Sequence, residues 1–270
     1  MPELPEVETV RRTLAPVVEG RTIARVSFAW PRTCLGDPHA TGARLAGQRI
    51  ERLERYGKYL LFRLRKGSRE SLLVVHLRMT GNLLVNGASG KFTRASMSLD
   101  DGTAVVFQDI RKFGRWQWSE RLPARLAALG PEPLEIGRDE FAAWLRSRRA
   151  RLKALLLDQE FLRGLGNIYA DEALFRARLH PLRSADSVGP RKARDLHEAI
   201  QAVLRNAIDA GGTSIRDYRD SRGAEGDFQR QIRIYGRDGD PCVNCGTRVR
   251  RVIVAQRSTH FCPRCQRLRR

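Results

Sequence analysis

Two stretches of this sequence carry residue types that could do chemistry, and they lie at its two ends. The chain opens Met1-Pro2-Glu3-Leu4-Pro5-Glu6-Val7-Glu8-Thr9. Removal of Met1 would leave Pro2 with a secondary amine in place of an amide nitrogen. An α-amino group has an ordinary pKa of about 8, far below that of lysine, so much of it is unprotonated near neutral pH. A secondary amine condenses with an aldehyde carbon to an iminium ion, which is an electron sink, and Glu3 beside it could donate or accept a proton. Taken alone, Pro2 would more often do no more than guide Met1 removal, with Pro5 starting a helix. The other end holds Cys242-x2-Cys245 and Cys262-x2-Cys265, with sixteen residues between the pairs. Two such pairs match a tetrahedral four-thiolate zinc site, and four sulfur ligands leave no open position, so the metal would be structural. A redox CxxC is the competing reading, and the second pair weakens it.

The elements that must position these groups follow from periodicity. Val7, Val10 and Leu14 mark one face of an N-terminal helix, with Pro5 in its first turn and Glu3, Glu6 and Glu8 near its start, where they would cap and solubilise. From about Arg21 to Trp118, short apolar runs such as Tyr59–Leu64, Leu72–Leu77 and Thr103–Phe107 alternate with turns such as Asp100-Asp101-Gly102. They predict a sheet-rich domain, a sandwich or a flattened barrel. Past Gly130-Pro131-Glu132-Pro133 the period becomes helical, around Phe141–Leu145 and Leu152–Leu156. A long helix follows through Ala193, Leu196, Ile200, Val203 and Ala207, stopped by Gly211-Gly212. Ser221–Asp227 has no apolar anchor and two glycines, which predicts a mobile loop. The residues between the cysteine pairs read as two short strands around a turn, so the metal would pin a β-hairpin. Arg250, Arg251, Arg257, Arg264, Arg267, Arg269 and Arg270 would give that hairpin a phosphate-binding surface.

Lys and Arg number 50 against 30 acids, a formal charge of +20 spread along the whole length. A folded protein this basic most often meets a polyanion, nucleic acid first, with ribosome-like packing or an anionic membrane surface as the competing readings. No apolar run is long enough to span a membrane, and the front end lacks the pattern of a secretory signal. Three further motifs fit a nucleic-acid partner. Gly164-Leu165-Gly166-Asn167 opens a helix whose backbone N–H groups could hold a phosphate; a tight interhelical turn capped by Asn is compatible with this. His76-Leu77-Arg78-Met79-Thr80-Gly81 and Arg111-Lys112-Phe113-Gly114 each follow a strand. Each joins a large apolar side chain to cations, as a wedge entering a duplex requires. Met79 and Phe113 alone would more often be core residues. Lys58, in Tyr56-Gly57-Lys58-Tyr59, would ordinarily be a surface lysine.

Together these pieces resemble the formamidopyrimidine-DNA glycosylases with AP lyase activity, over nearly the whole chain. The resemblance implies an α+β fold: an N-terminal helix plus a two-layered β-sandwich (1–130), then a helix-two-turn-helix domain (131–228) and a four-cysteine zinc-finger β-hairpin (233–267). DNA would lie in a basic cleft between domains. It implies Pro2 as the nucleophile at the sugar C1′ and Glu3 as the acid that opens the deoxyribose. Lys58 would contact phosphate and assist β-elimination, and Arg257 would bind phosphate and serve δ-elimination. Met79, Arg111 and Phe113 would fill the hole left by a flipped nucleotide. Asn167 would hold phosphate, and His76, Arg94, Arg149 and Lys153 would be further DNA contacts. The segment from about Ile215 to Phe228 would close over the flipped base. One structural zinc ion is expected on Cys242, Cys245, Cys262 and Cys265, with no catalytic cofactor.

The implied activity is excision of oxidised purines, 8-oxoguanine and formamidopyrimidines, from double-stranded DNA. β,δ-elimination would follow, performed by a cytoplasmic, nucleoid-associated monomer that needs no membrane. The endonuclease VIII-like branch acting on oxidised pyrimidines is a close rival, and a catalytically silent damaged-DNA binder a more distant one. Leu4, Glu6-Val7-Glu8-Thr9, Met79 and Arg111-x-Phe113 favour the purine branch; Pro2, Glu3 and Lys58 argue against a silent binder. The chain departs from the family at Ile110, where a Pro is common, at Arg78, where Gly is frequent, and at Lys91–Arg94, which lacks the usual histidines. Arg94 is expected to compensate there.

Overall fold

A computed structural model describes residues 1–215 and 217–268. Arg216, within the predicted closing loop, and Arg269 and Arg270, counted among the hairpin arginines, lie outside the described residues. The chain forms two compact units. The first joins Met1–Ala128 to Ile208–Gln229; the second joins Leu129–Ala207 to the residues from Arg230 onward.

In the first unit, helix α1 (Leu4–Val18) has Pro5 in its first turn as expected and buries Leu4, Val7, Val10, Leu14 and Val18 completely. There follow β1 (Ile23–Ser27), α2 (Pro38–Leu45), β2 (Arg49–Tyr56), β3 (Tyr59–Lys66), β4 (Arg69–His76), β5 (Gly81–Val85), β6 (Thr93–Leu99), β7 (Ala104–Asp109), β8 (Arg115–Ser119) and the single-turn α3 (Ala124–Ala127). The strands form two separate antiparallel sheets, ordered β1-β6-β7-β5 and β2-β3-β4-β8. That decides between the two predicted architectures in favour of a sandwich. Phe62, Phe107, Trp116, Leu60, Leu73 and Val75 fill its interior together with the apolar face of α1. Burying such side chains contributes about 1.5–3 kcal/mol each, so the sandwich is a firm platform for loops at the sheet ends.

The second unit contains α4 (Arg138–Arg146), α5 (Leu152–Leu157), α6 (Asn167–Arg176) and most of α7 (Pro190–Asp209), then the hairpin β9 (Arg250–Val254) and β10 (Arg257–Phe261). The predicted face of α7 is buried at Ala193, Leu196, Ile200, Val203 and Ala207. In the hairpin, Val254 pairs with Arg257, which leaves Ala255-Gln256 as a two-residue turn. Both turn residues have positive φ, +47° and +57°. That matches the turn whose twist suits a tight hairpin, although Asn or Gly usually fill such positions.

By its contacts the segment Ile208–Gln229, placed by sequence in the helical domain, groups with the first unit. One expectation is corrected. Ser221–Asp227, expected to be mobile for want of apolar anchors, is tied down by polar ones. Ser221 is fully buried, its carbonyl accepts from the Val85 N–H at 2.9 Å, and its hydroxyl meets Thr13 Oγ1 at 2.8 Å. The Asp220 carboxylate accepts from the Arg222 and Ala224 amides, at 2.9 and 2.8 Å. Gly226 lies so close to Gly212 that an added Cβ would be 2.3 Å from the Gly212 carbonyl oxygen. Hydrophobic periodicity registers none of these contacts.

Candidate functional site

The front end is built on the N-terminus of α1. Pro2 is buried and Met1 is exposed. Glu3 occupies the N-cap in an extended conformation, 3% exposed, with its carbonyl already accepting from the Val7 N–H at 3.1 Å. Its own N–H donates to Glu6 Oε2 at 2.7 Å, the backward half of a capping box. Glu6 was expected to cap and to solubilise; it caps, but it is only 2% exposed. Its other oxygen accepts from the Thr213 N–H at 2.7 Å, and the Tyr218 hydroxyl donates to its carbonyl at 3.2 Å. Glu6 therefore ties the start of α1 to Thr213, a link 207 residues long, and to Tyr218, neither of which a local reading can see.

Glu8 is likewise inward rather than solvating. It meets Arg11 at 2.8 Å, Arg12 at 2.9 Å and Arg55 at 3.1 Å. Burial pushes its carboxyl up, but Arg11, Arg55 and Arg12 together hold it below the usual carboxylate range. Arg55 lies on β2 one residue before Tyr56-Gly57-Lys58, and its guanidinium also donates to the Gly57 carbonyl at 3.4 Å. The Glu8–Arg55 pair thus draws the β2–β3 turn that bears Lys58 toward α1. Lys58 is 8% exposed, so it is not the surface lysine of the bland reading.

His76 ends β4, stacks edge-on against Tyr59 at 4.5 Å, and accepts on Nδ1 from the Arg78 N–H at 2.9 Å. Burial first, then the charges of Arg78, Lys58 and Arg125, lower its pKa to about 3. The ring is neutral at physiological pH with its proton on Nε2, leaving that nitrogen a donor. Beyond it, Met79 and Phe113 are 40% and 44% exposed, which removes the core reading of both. The Arg111 guanidinium lies over the Phe113 ring at 4.8 Å. Arg78 and Lys112, each next to one of these side chains, have φ of +57° and +61°. Arg78 therefore stands in a left-handed position that glycine fills without strain, at a cost of about 1–2 kcal/mol. Arg94 is 8% exposed and donates to the carbonyls of Asp109 (2.8 Å), Lys91 (2.8 Å) and Thr93 (3.3 Å). It braces the loop base, where sequence suggested an outward contact.

In the second unit, α6 has Gly166 as its N-cap, a residue with no side chain to offer the first turn. Asn167 Nδ2 donates to the Ser258 carbonyl at 3.0 Å, one residue after the exposed Arg257. The two expected phosphate ligands are thereby brought together. Lys153, also expected at DNA, is completely buried. Its ammonium meets Asp171 Oδ1 at 2.6 Å and the Asn167 carbonyl at 2.8 Å. Arg149, by contrast, is 94% exposed and 3.8 Å from Asp186.

Sequence reasoning passed over Asp171 and Glu172, which fasten the hairpin module to α6. Asp171 Oδ2 accepts from the backbone N–H of His260 at 2.9 Å and lies 3.2 Å from its Nδ1. Glu172 accepts from the successive amides of Arg233, Ile234 and Tyr235, at 3.1, 2.9 and 2.9 Å. Burial still leaves the Glu172 carboxyl above its ordinary value, against those three amides and with Asp171 adding to the rise. Two adjacent acids inside an otherwise apolar run, Ala170 to Phe175, were the available signal.

The four cysteines converge. Their sulfurs lie within 4.8 Å of one another, with Cys245–Cys262 and Cys245–Cys265 at 3.5 Å and Cys242–Cys265 at 4.0 Å. Zn–S bonds of about 2.3 Å in a tetrahedron require sulfurs about 3.8 Å apart, so the spacing fits. Hydrogen bonds from Thr247 draw the Cys245 thiol down to about 6, while burial and then the neighbouring thiols push Cys265 up to about 12. Four thiolates this close repel one another, and a divalent cation removes that conflict. The quartet is suited to one structural zinc ion.

Comparison with known proteins agrees with this geometry. Residues 1–116 match the formamidopyrimidine-DNA glycosylase N-terminal domain, residues 129–219 its H2TH domain, and residues 239–268 the zinc finger found in FPG and IleRS. The formamidopyrimidine-DNA glycosylase of Solibacter usitatus is 53% identical over 99% of this chain and 100% of its own length. That of Herpetosiphon aurantiacus is 46% identical over 98% and 100%. The crystal structure of MutM (Fpg) from Thermus thermophilus superposes with a TM-score of 0.88 at 44% identity, covering 98% of each chain. Lactococcus lactis Fpg bound to N7-benzyl-Fapy-dG DNA gives 0.90 at 35%, covering 99% of this chain and all of that one. The chain belongs to the formamidopyrimidine-DNA glycosylase family. No helix among the described residues is long and apolar enough to cross a membrane.

Proposed function

We propose that this chain is a base-excision repair glycosylase and AP lyase that removes oxidised purines from duplex DNA, with Pro2 as its nucleophile. The observation that carries the reading is the front end itself. A buried proline sits beneath an exposed initiator methionine, beside a buried carboxyl at a helix N-cap, with the Lys58 turn drawn toward the same helix. Once Met1 is removed, the Pro2 nitrogen attacks C1′ of a nucleotide extruded from the stack, and the damaged base departs. Glu3 protonates the ring oxygen, the deoxyribose opens, and an iminium forms between Pro2 and C1′. The iminium acidifies the C2′ hydrogens. Loss of one expels the 3′ phosphate, with Lys58 steadying that charge; a second elimination, aided by Arg257, expels the 5′ phosphate and leaves a one-nucleotide gap.

Met79, Arg111 and Phe113, exposed on adjacent loops, fill the space the nucleotide leaves. The start of α6, with Asn167 and Arg257, holds the backbone. His76 supplies a neutral Nε2–H and Arg149 an exposed cation. Arg94 and Lys153 serve from within, as braces. The zinc ion shapes the hairpin that presents Arg257 and takes no part in bond breaking. A cytoplasmic, nucleoid-associated monomer is the corresponding location and state.

Borohydride trapping on an 8-oxoguanine duplex, with the linked peptide located by mass spectrometry, tests the reading. The expected adduct is on Pro2, and Glu3→Gln is expected to abolish base excision while retaining DNA binding. An adduct on a lysine, or a mature chain that keeps Met1, overturns the mechanism. Faster cleavage of a thymine-glycol duplex overturns the purine assignment.

A further inference from the structure

We propose that Asp109 is the positioning residue that sets the joint geometry of Met79, Arg111 and Phe113; the inference rests on the wedge role given to those three above. Asp109 is the last residue of β7 and is 1% exposed. One carboxylate oxygen accepts from the Thr80 hydroxyl and, at 3.1 Å, from the Arg111 N–H. The other accepts from the Gly114 N–H at 2.7 Å. Thr80 follows Met79, and Arg111 and Gly114 bracket Phe113. A single buried anion thus ties one wedge loop to the other. Thr80 Oγ1 closes the triangle by accepting from the Arg111 N–H at 3.1 Å. From behind, Asp109 is fixed by its register with Gly81, by its N–H donating to the Phe92 carbonyl at 2.9 Å, and by Arg94 on its own carbonyl at 2.8 Å.

The surroundings leave no slack for another arrangement. A Cβ on Gly81 would be 2.4 Å from the Leu77 carbonyl oxygen, and one on Gly114 would be 2.2 Å from the Phe107 ring. Arg78 and Lys112 hold left-handed conformations in the two loops. Such strain persists only where neighbouring bonds over-determine the backbone, and the donors converging on Asp109 supply that determination. The acceptor must be a carboxylate. An Asn in its place would turn an amide N–H₂ toward one of the three donors, freeing one loop from the other.

Placement matters because a group held about 1 Å out of position can cost about a hundredfold in rate. The test compares two substrates. Opening a duplex needs the wedge; an abasic site in single-stranded DNA has no stack to open and no partner base to orphan. In Asp109→Asn, kcat/KM for 8-oxoguanine excision from duplex is expected to fall between about tenfold and about a hundredfold. Borohydride trapping on the single-stranded abasic site should fall far less. Thr80→Val should show the same split, more weakly. A 2-aminopurine placed opposite the lesion should lose the fluorescence rise that accompanies extrusion. Equal losses on both substrates would reduce Asp109 to a folding residue, and undiminished duplex excision would remove it from the wedge; either overturns the proposal. Wild-type protein that neither excises nor traps would instead overturn the functional reading beneath it, and that is read before any variant is made.

Discussion

Lys153→Met separates two ways in which a lysine can serve DNA binding. The ammonium is wholly buried, 2.6 Å from Asp171 and 2.8 Å from the Asn167 carbonyl. Methionine keeps most of the volume and deletes the charge. Removing one partner of a buried ion pair costs about 3–5 kcal/mol, because the other charge stays behind in a poor solvent. Here Asp171 keeps the His260 N–H at 2.9 Å, so the low end, about 3 kcal/mol, is expected. The Asn167 backbone loses its brace at the start of α6. If that loosens one charge-assisted hydrogen bond to phosphate, about 1.5–3 kcal/mol, affinity falls by about tenfold to a hundredfold. The discriminating quantity is the salt slope. A lysine that touches phosphate contributes about 0.9 to the slope of log K against log salt; one that acts through Asn167 contributes nothing. Fluorescence anisotropy on an abasic-site duplex across a salt series, with urea unfolding alongside, reads both. The structure calls for weaker binding with an unchanged slope and a less stable protein. A slope reduced by about one unit with stability intact would refute the reasoning.

Acid should destabilise the first unit through His76. Its folded pKa of about 3 lies below the ordinary value of 6.5, so between those pH values the unfolded chain takes up a proton that the folded chain refuses. Stability then falls progressively as pH drops from 6.5 toward 3, by up to about 5 kcal/mol. Glu8 acts in the same direction, since its low carboxyl contributes stability that is lost as pH falls through its folded value. Thermal melting across that range should show a flatter pH dependence in His76→Gln; an unchanged slope would remove His76 as its source. Cys245→Ser should lose bound zinc and DNA affinity together. Metal analysis beside anisotropy checks this, and full affinity without metal would contradict a structural finger.

Much of the fold was legible because it rests on local periodicity. The apolar runs at Tyr59–Leu64 and Leu72–Leu77 became β3 and β4, and the three-four spacing from Ala193 became the buried face of α7. The cysteine pairs were legible because ligand spacing is a local property. What escaped were groups whose partners are remote in sequence. Nothing beside Glu6 announces the Thr213 amide, and nothing beside Ser221 announces Thr13. Lys153 and Arg94 were assigned outward because a cation in a basic chain reads as a phosphate ligand until its burial is known. Met79 and Phe113 were read as wedge residues only because cations stand beside them: apolar character alone argues for a core, and their exposure removes that alternative.

The misread residues share a physical logic. Among the described residues, eight acids are buried, at Glu3, Glu6, Glu8, Asp109, Glu132, Asp171, Glu172 and Asp220, against three lysines and arginines, Lys58, Arg94 and Lys153. A chain of net charge +20 that turns its acids inward shows solvent a surface more cationic than its composition implies. Several of these acids accept backbone amides directly beneath a functional element: Glu6 under the start of α1, Asp109 under the wedge loops, Asp171 and Glu172 under the hairpin. A carboxylate that accepts two or three N–H donors is stabilised where it sits, so it can fix a loop from within, although burial still holds Glu172 above its ordinary value. Neutralising one of these acids should therefore cost more than removing a surface arginine, because it frees backbone rather than one contact among several. That ordering is opposite to what a map of surface potential alone would give.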